Sequence, residues 1–127
     1  MKQIISTKKA PDAIGPYNQA TSFEKLIFTS GQIALDPETM EIVEGGVQEQ
    51  SRQVMENLKA VLEEANSSFD NVLKTTCYLS DMDNFVAFNE IYAQYFKAET
   101  APARATVAVR TLPKNVLVEV DVIAHKN

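Results

Sequence analysis

Val116-Leu117-Val118-Glu119-Val120-Asp121-Val122-Ile123-Ala124 is the stretch on which the fold turns. Valine holds every even position from 116 to 122, while Leu117, Glu119, Asp121 and Ile123 hold the odd ones. A strand therefore sets four valines on one face and two carboxylates on the other. The valine face reads as core. Residues 103–109 alternate in the same manner, and their expected core face is Ala103, Ala105, Val107 and Val109, with Arg104, Thr106, Ala108 and Arg110 opposite. If residues 111–115 turn a hairpin near Leu112-Pro113, Thr106 stands across from Glu119 and Arg104 across from Asp121. A slip of one residue would exchange the faces.

Working back toward the amino terminus, Phe85, Phe88, Tyr92 and Tyr95 recur at helical spacing after Asp83, a plausible N-cap, and Thr100-Ala101-Pro102 stops that helix. Residues 72–79 alternate as a strand, with Cys77 on a face with Leu73, Thr75 and Leu79, where it reads as a small core residue. Residues 47–65 carry Val47, Val54, Met55, Leu58, Val61, Leu62 and Ala65 on one side and Glu, Gln, Arg and Lys on the other, an amphipathic helix. Asp36-Pro37-Glu38-Thr39 is a turn. Residues 20–23 and 26–29 form a hairpin around Glu24-Lys25. Residues 10–17, with two prolines and a glycine, are an irregular loop after a short first strand.

The order predicts an α+β domain spanning residues 1–127, with a mixed sheet and both helices on one face. Leu26, Ile27 and Phe28 are consecutive and apolar, so the face the helices leave uncovered also carries apolar side chains, and a second copy of the chain is its simplest cover.

Composition narrows the function. At 127 residues the chain suits one core, and 45% hydrophobic with 23% charged residues is ordinary globular usage. A net charge of −5 offers no broad basic footprint for nucleic acid. Residues 1–9 lack the apolar region of a secretory leader and no run is long enough to span a membrane, so a cytoplasmic protein is expected. One cysteine and one histidine, Cys77 and His125, cannot assemble a Cys/His metal centre, and a histidine-based triad would have to use His125, two residues from the end of the chain.

Five segments resemble the Rid (reactive-intermediate deaminase) family, also known as YjgF: Ile14-Gly15-Pro16-Tyr17, Thr29-Ser30-Gly31-Gln32-Ile33, Asn89 with Tyr92, Pro102-Ala103-Arg104, and Leu112-Pro113 followed by Val118-Glu119. They occur in order across nearly the whole chain. The resemblance implies a chorismate-mutase-like fold, a homotrimer with sites in clefts between subunits, and cofactor-free, metal-free hydrolysis of 2-imino acids such as 2-iminobutanoate and 2-iminopropanoate to 2-oxo acids and ammonia.

A 2-imino acid presents a carboxylate to anchor and a C=N carbon to water. Arginine forks a carboxylate through two parallel hydrogen bonds, and Arg104 matches the family arginine; the structural alternative is an ion pair with Asp121. Glu119 matches the family glutamate that takes a proton from water, against the alternative of a solvated strand-face carboxylate. Where the family often has cysteine, this chain has Thr106, which is compatible with activity if a backbone carbonyl holds the water. Tyr17 matches the tyrosine that closes the cleft and donates to substrate. Ser30 and Gly31 are expected to offer hydroxyl or backbone groups, against the alternative of an ordinary turn, and Asn89 either hydrogen-bonds loops around the cleft or, the reading favoured by its residues alone, is structural. A different class of function, a non-catalytic module that binds 2-oxo acids in the same cleft, would use Arg104 equally and differ only at Glu119.

Overall fold

The computed structural model describes all 127 residues. Six strands, β1 (Gln3–Ile5), β2 (Ala20–Phe23), β3 (Leu26–Thr29), β4 (Val72–Leu79), β5 (Ala103–Ala108) and β6 (Val118–His125), and two helices, α1 (Val47–Glu64) and α2 (Phe85–Tyr92), make an α+β fold. The strands form one mixed sheet in the order β1-β2-β3-β6-β4-β5, antiparallel throughout except for the parallel pair β4 and β5. Both helices pack on one face, and neither is long and apolar enough to cross a membrane.

The valine face behaves as its alternation requires. Val116 is buried, and Val118, Val120 and Val122 share one core with Val54, Met55, Leu58, Val61 and Leu62 of α1, each fully buried side chain contributing about 1.5–3 kcal/mol. Gly46 caps α1, with its N–H donating to Glu49 Oε1. The second helix is led in by a 3₁₀ turn, Met82–Asn84, and the capping carboxylate belongs to Asp81, which accepts from Asp83 N–H, so Asp83 is not the cap. Cys77 is buried as expected, but Leu73 is half exposed because a bulge between Val72 and Lys74 turns it off the core face.

The expected hairpin of the last two strands does not form. β4 lies between β5 and β6, pairing Thr75 with Arg104 and Cys77 with Thr106 on one side, and Thr75 with Val122 and Cys77 with Val120 on the other. The parallel crossover β4-α2-β5 explains this: its connection is long enough to carry a helix, so β5 returns beside β4 and takes the sheet edge. β6, with its all-valine core face, takes a central position between β3 and β4. The faces of β5 invert with it. Arg104 and Thr106 share the helix side with Thr75, Cys77, Val120 and Val122, while Val107 faces out and is half exposed.

The other face of the sheet is open. Ile4, Phe23, Leu26, Phe28 and Val107 are exposed there, and Glu119, Asp121 and Tyr78 share that side.

Candidate functional site

Four of the seven residues singled out from the sequence meet in one place. Tyr17, Ser30, Gly31 and Glu119 line a cavity of about 590 Å³, together with Pro11, Asp12, Ala13, Ile14, Gln19, Gln32, Ile33, Leu35, Met40, Pro113 and Lys114. Its floor is set where the chain leaving β3 runs beside β6: Gln32 N–H donates to Val120 O and Val120 N–H to Gln32 O. Gly31 is thereby pressed against Glu119. A Cβ on Gly31 would lie 2.1 Å from Glu119 Oε2 and 2.8 Å from Cδ, so only glycine lets the carboxylate rest where it does.

The loop that carries Tyr17 is braced by Gln19. This buried amide donates to Thr7 O, Ala10 O and Pro11 O, and its oxygen accepts from Thr7 N–H at 2.7 Å. The Ser30 hydroxyl donates to Asn18 O and the Ser30 N–H to Gln19 O, so Ser30 ties the loop to β3 while its oxygen remains able to accept. Tyr17 itself is half exposed at the rim.

The electrostatics favour a proton acceptor of moderate strength. Burial, and then the like charge of Asp121 two residues along the strand, hold the Glu119 carboxyl above the usual glutamate range. Asp121 is likewise raised by burial, in part offset by the hydroxyl of Tyr78, which donates to Oδ2 at 3.3 Å. No three His, Cys, Asp or Glu side chains are grouped to hold a metal ion.

Arg104, Thr106 and Asn89 lie elsewhere, on the helix side of the edge strand. Arg104 Nη1 donates to Asn89 Oδ1 at 2.7 Å, and its guanidinium carbon sits 4.7 Å from the Tyr92 ring centre and 5.4 Å from that of Phe85. Asp121, on the opposite face, does not pair with it. The hydroxyl of Thr106 is buried without a hydrogen-bond partner, beside Cys77, whose thiol burial pushes up to about 11. Val109 N–H donates to Leu79 O, and in a parallel ladder alternate residues bond the neighbour, so the backbone N–H and C=O of Arg104 and Thr106 point off the free edge.

Among the lining residues without a role expected from sequence, Lys114 and Gln19 shape the cavity most directly. Lys114 stands at the cavity with φ 55°, followed by Asn115 at φ 56°, a left-handed pair in the Pro113–Asn115 turn. The turn was legible from its proline, but not its place over the cavity. Gln19 gave no signal, because a buried glutamine has the look of a surface residue in sequence.

The fold and the cavity define a small α+β protein whose open sheet face holds a carboxylate and whose edge strand presents an arginine. The family model described as Endoribonuclease L-PSP matches residues 7–126. A RutC family protein of Pyrococcus abyssi is 51% identical over 125 residues, covering 98% of each chain. The 2-iminobutanoate/2-iminopropanoate deaminase of Homo sapiens is 45% identical over 124 residues, covering 98% of this chain and 90% of the human one. A solved structure of a conserved Rid family protein from Yersinia pestis superposes with a TM-score of 0.95 at 46% identity, covering 98% and 99% of the two chains. The chain belongs to the Rid family.

Proposed function

We propose that the protein is a hydrolytic deaminase that converts reactive 2-imino acids, 2-iminobutanoate and 2-iminopropanoate among them, to 2-oxo acids and ammonia, in clefts between subunits of a homotrimer. One observation carries the reading: Glu119, Gly31, Ser30 and Tyr17 meet at the open face, while Arg104 and Thr106 occupy the far side of the edge strand. A single chain thus holds two complementary halves of the expected site. A second copy that sets its edge strand against the open face joins them, and in doing so covers Phe28, Leu26 and Val107. The activity stated for the human relative agrees with this.

In the proposed reaction, Arg104 of one copy forks the substrate carboxylate above the cavity of the next. Water, held by the free backbone carbonyl of Thr106, gives a proton to Glu119 as its oxygen bonds to the imine carbon. Glu119 returns that proton to nitrogen. The new hydroxyl then loses its proton, by way of Glu119, to the same nitrogen; the C–N bond breaks, and ammonia leaves behind the 2-oxo acid. Tyr17 closes the cleft and donates to the substrate, Gly31 allows close approach, and Ser30 accepts. No thiol is needed, because water attacks the imine directly, which accommodates Thr106.

The test generates 2-iminobutanoate from threonine with a dehydratase and traps the remaining imine with semicarbazide. Wild type should suppress semicarbazone formation. Arg104→Ala should lose most of that suppression, and Glu119→Gln should lose about 10²–10⁴-fold in rate while still binding 2-oxobutanoate. Wild type that binds 2-oxobutanoate but leaves semicarbazone formation unchanged across several imino acids would sink the deaminase reading in favour of a binding module. RNA is the weaker substrate class here: the chain carries a net charge of −5 and the cavity has a single basic side chain, Lys114.

A further inference from the structure

The partners of Arg104 are all uncharged. Its Nη1 donates to the side-chain oxygen of Asn89, and its guanidinium lies over the rings of Tyr92 and Phe85. These three residues sit at i, i+4 and i+7 on α2, one stripe of one helix. The Tyr92 ring is itself fixed, buried, with its hydroxyl 2.9 Å from Thr75 Oγ1 on β4. The acid next to Asn89, Glu90, is engaged instead by Gln48 Nε2 at 2.9 Å. A carboxylate at position 89 would orient the arginine as well as an amide does, and would hold it more strongly. It would also neutralise the guanidinium and compete for the donors a ligand needs.

We infer that Asn89, Tyr92 and Phe85 are positioning residues that form a charge-neutral seat for Arg104, orienting its guanidinium while leaving the charge unspent for the carboxylate of a substrate. The inference rests on the proposed role of Arg104 as carboxylate anchor and assigns α2 a task beyond closing the core. One of the five N–H donors goes to Asn89, which leaves more than the two that a fork requires. The aromatic faces add attraction without neutralising the cation.

The decisive variant is Asn89→Asp, nearly identical in shape and still able to accept from Nη1. Binding of 2-oxobutanoate, titrated by calorimetry or NMR, should weaken at least tenfold, and KM for the imine should rise by more than kcat falls. The melting temperature should hold or rise. A residue with only a structural role would show no loss of binding after so conservative a change. Tyr92→Phe keeps the ring and should bind within about twofold of wild type, whereas Tyr92→Leu should weaken binding about three- to thirtyfold. Asn89→Asp that binds 2-oxobutanoate as tightly as wild type overturns the inference, as does a wild type that binds no 2-oxo acid. Wild type that binds 2-oxobutanoate without turning over imines leaves the seat standing and removes only the deaminase reading.

Discussion

On the helix-covered face of the sheet Val118, Val120 and Val122 keep at most 1% of their solvent exposure, whereas on the open face Leu26, Phe28 and Val107 keep 42 to 45% of theirs. One sheet supplies both faces, so the difference is one of partners. Two helices are enough to cover one side, and the chain spends them there. The open side carries what a second copy would have to bury, and along its margin it carries Glu119 in a cavity. The covered face answers to stability, and the proposed function assigns association and chemistry to the open one, which gives substitutions on the two faces different expected consequences.

The largest expected contrast comes from placing the same charge on each face. Val120→Asp buries a carboxylate with no partner among α1 side chains, at a cost of several kcal/mol, a large share of the roughly 5–15 kcal/mol that holds a domain together. Little folded protein should be recovered. Phe28→Asp puts the charge where water already reaches in the single chain, and should leave circular dichroism intact while size-exclusion elution moves from the proposed trimer to monomer and the proposed imine hydrolysis disappears. A Phe28→Asp protein that stays trimeric and active would show that this part of the open face is not an interface.

A smaller effect is expected where the open face approaches the cavity. Gly31→Ala sets a methyl group where Glu119 now lies, so the carboxylate must move while the fold, with Gly31 outside the helix-packed core, persists. Displacement of a proton acceptor by about an ångström costs on the order of 10²-fold. We expect kcat for 2-iminobutanoate to fall by about that much with little change in melting temperature. Full activity would separate Glu119 from the reaction or show that its side chain has room to relocate.

Much of the covered face was legible in the sequence and less of the open one, for a physical reason. Valine alternation on β6 and the 3.6-residue stripe of α1 are local patterns, and each reports one element's buried side directly. Strand pairing is not local. Residues 103–109 alternate too weakly, with alanine at three of the seven positions, to say which side is core, and adjacency in sequence suggested a hairpin that the β4-α2-β5 crossover forbids. That single error put Thr106 across from Glu119. The structure instead parts them by a strand and a face, and the gathering of Tyr17, Ser30 and Gly31 beside Glu119 was recognisable only through family resemblance, since the Gln19 brace that shapes the loop leaves no pattern.

The finest test concerns the two carboxylates of β6, which alternation placed together on the open side. Glu119 is raised by burial first and by Asp121 second. In the proposed reaction Glu119 is the base and acts only when ionised, so kcat/KM should fall as pH drops through its raised value, with the acid limb above the ordinary glutamate range. Asp121→Asn removes the like charge and leaves the burial, and should move that limb to lower pH without restoring it fully. The stability effect has a related sign. A carboxyl whose proton is held more tightly in the folded chain favours folding most below its unfolded value and loses that advantage as pH rises through the folded one. Asp121→Asn eliminates one such group and relieves the other, so thermal melts at pH 7 should be level with wild type or slightly higher, whereas at pH 3, with both carboxyls protonated, the gain should vanish. An unmoved acid limb would mean that burial alone sets the proton affinity of Glu119, and that the pairing of two acids on the open face has no part in the chemistry.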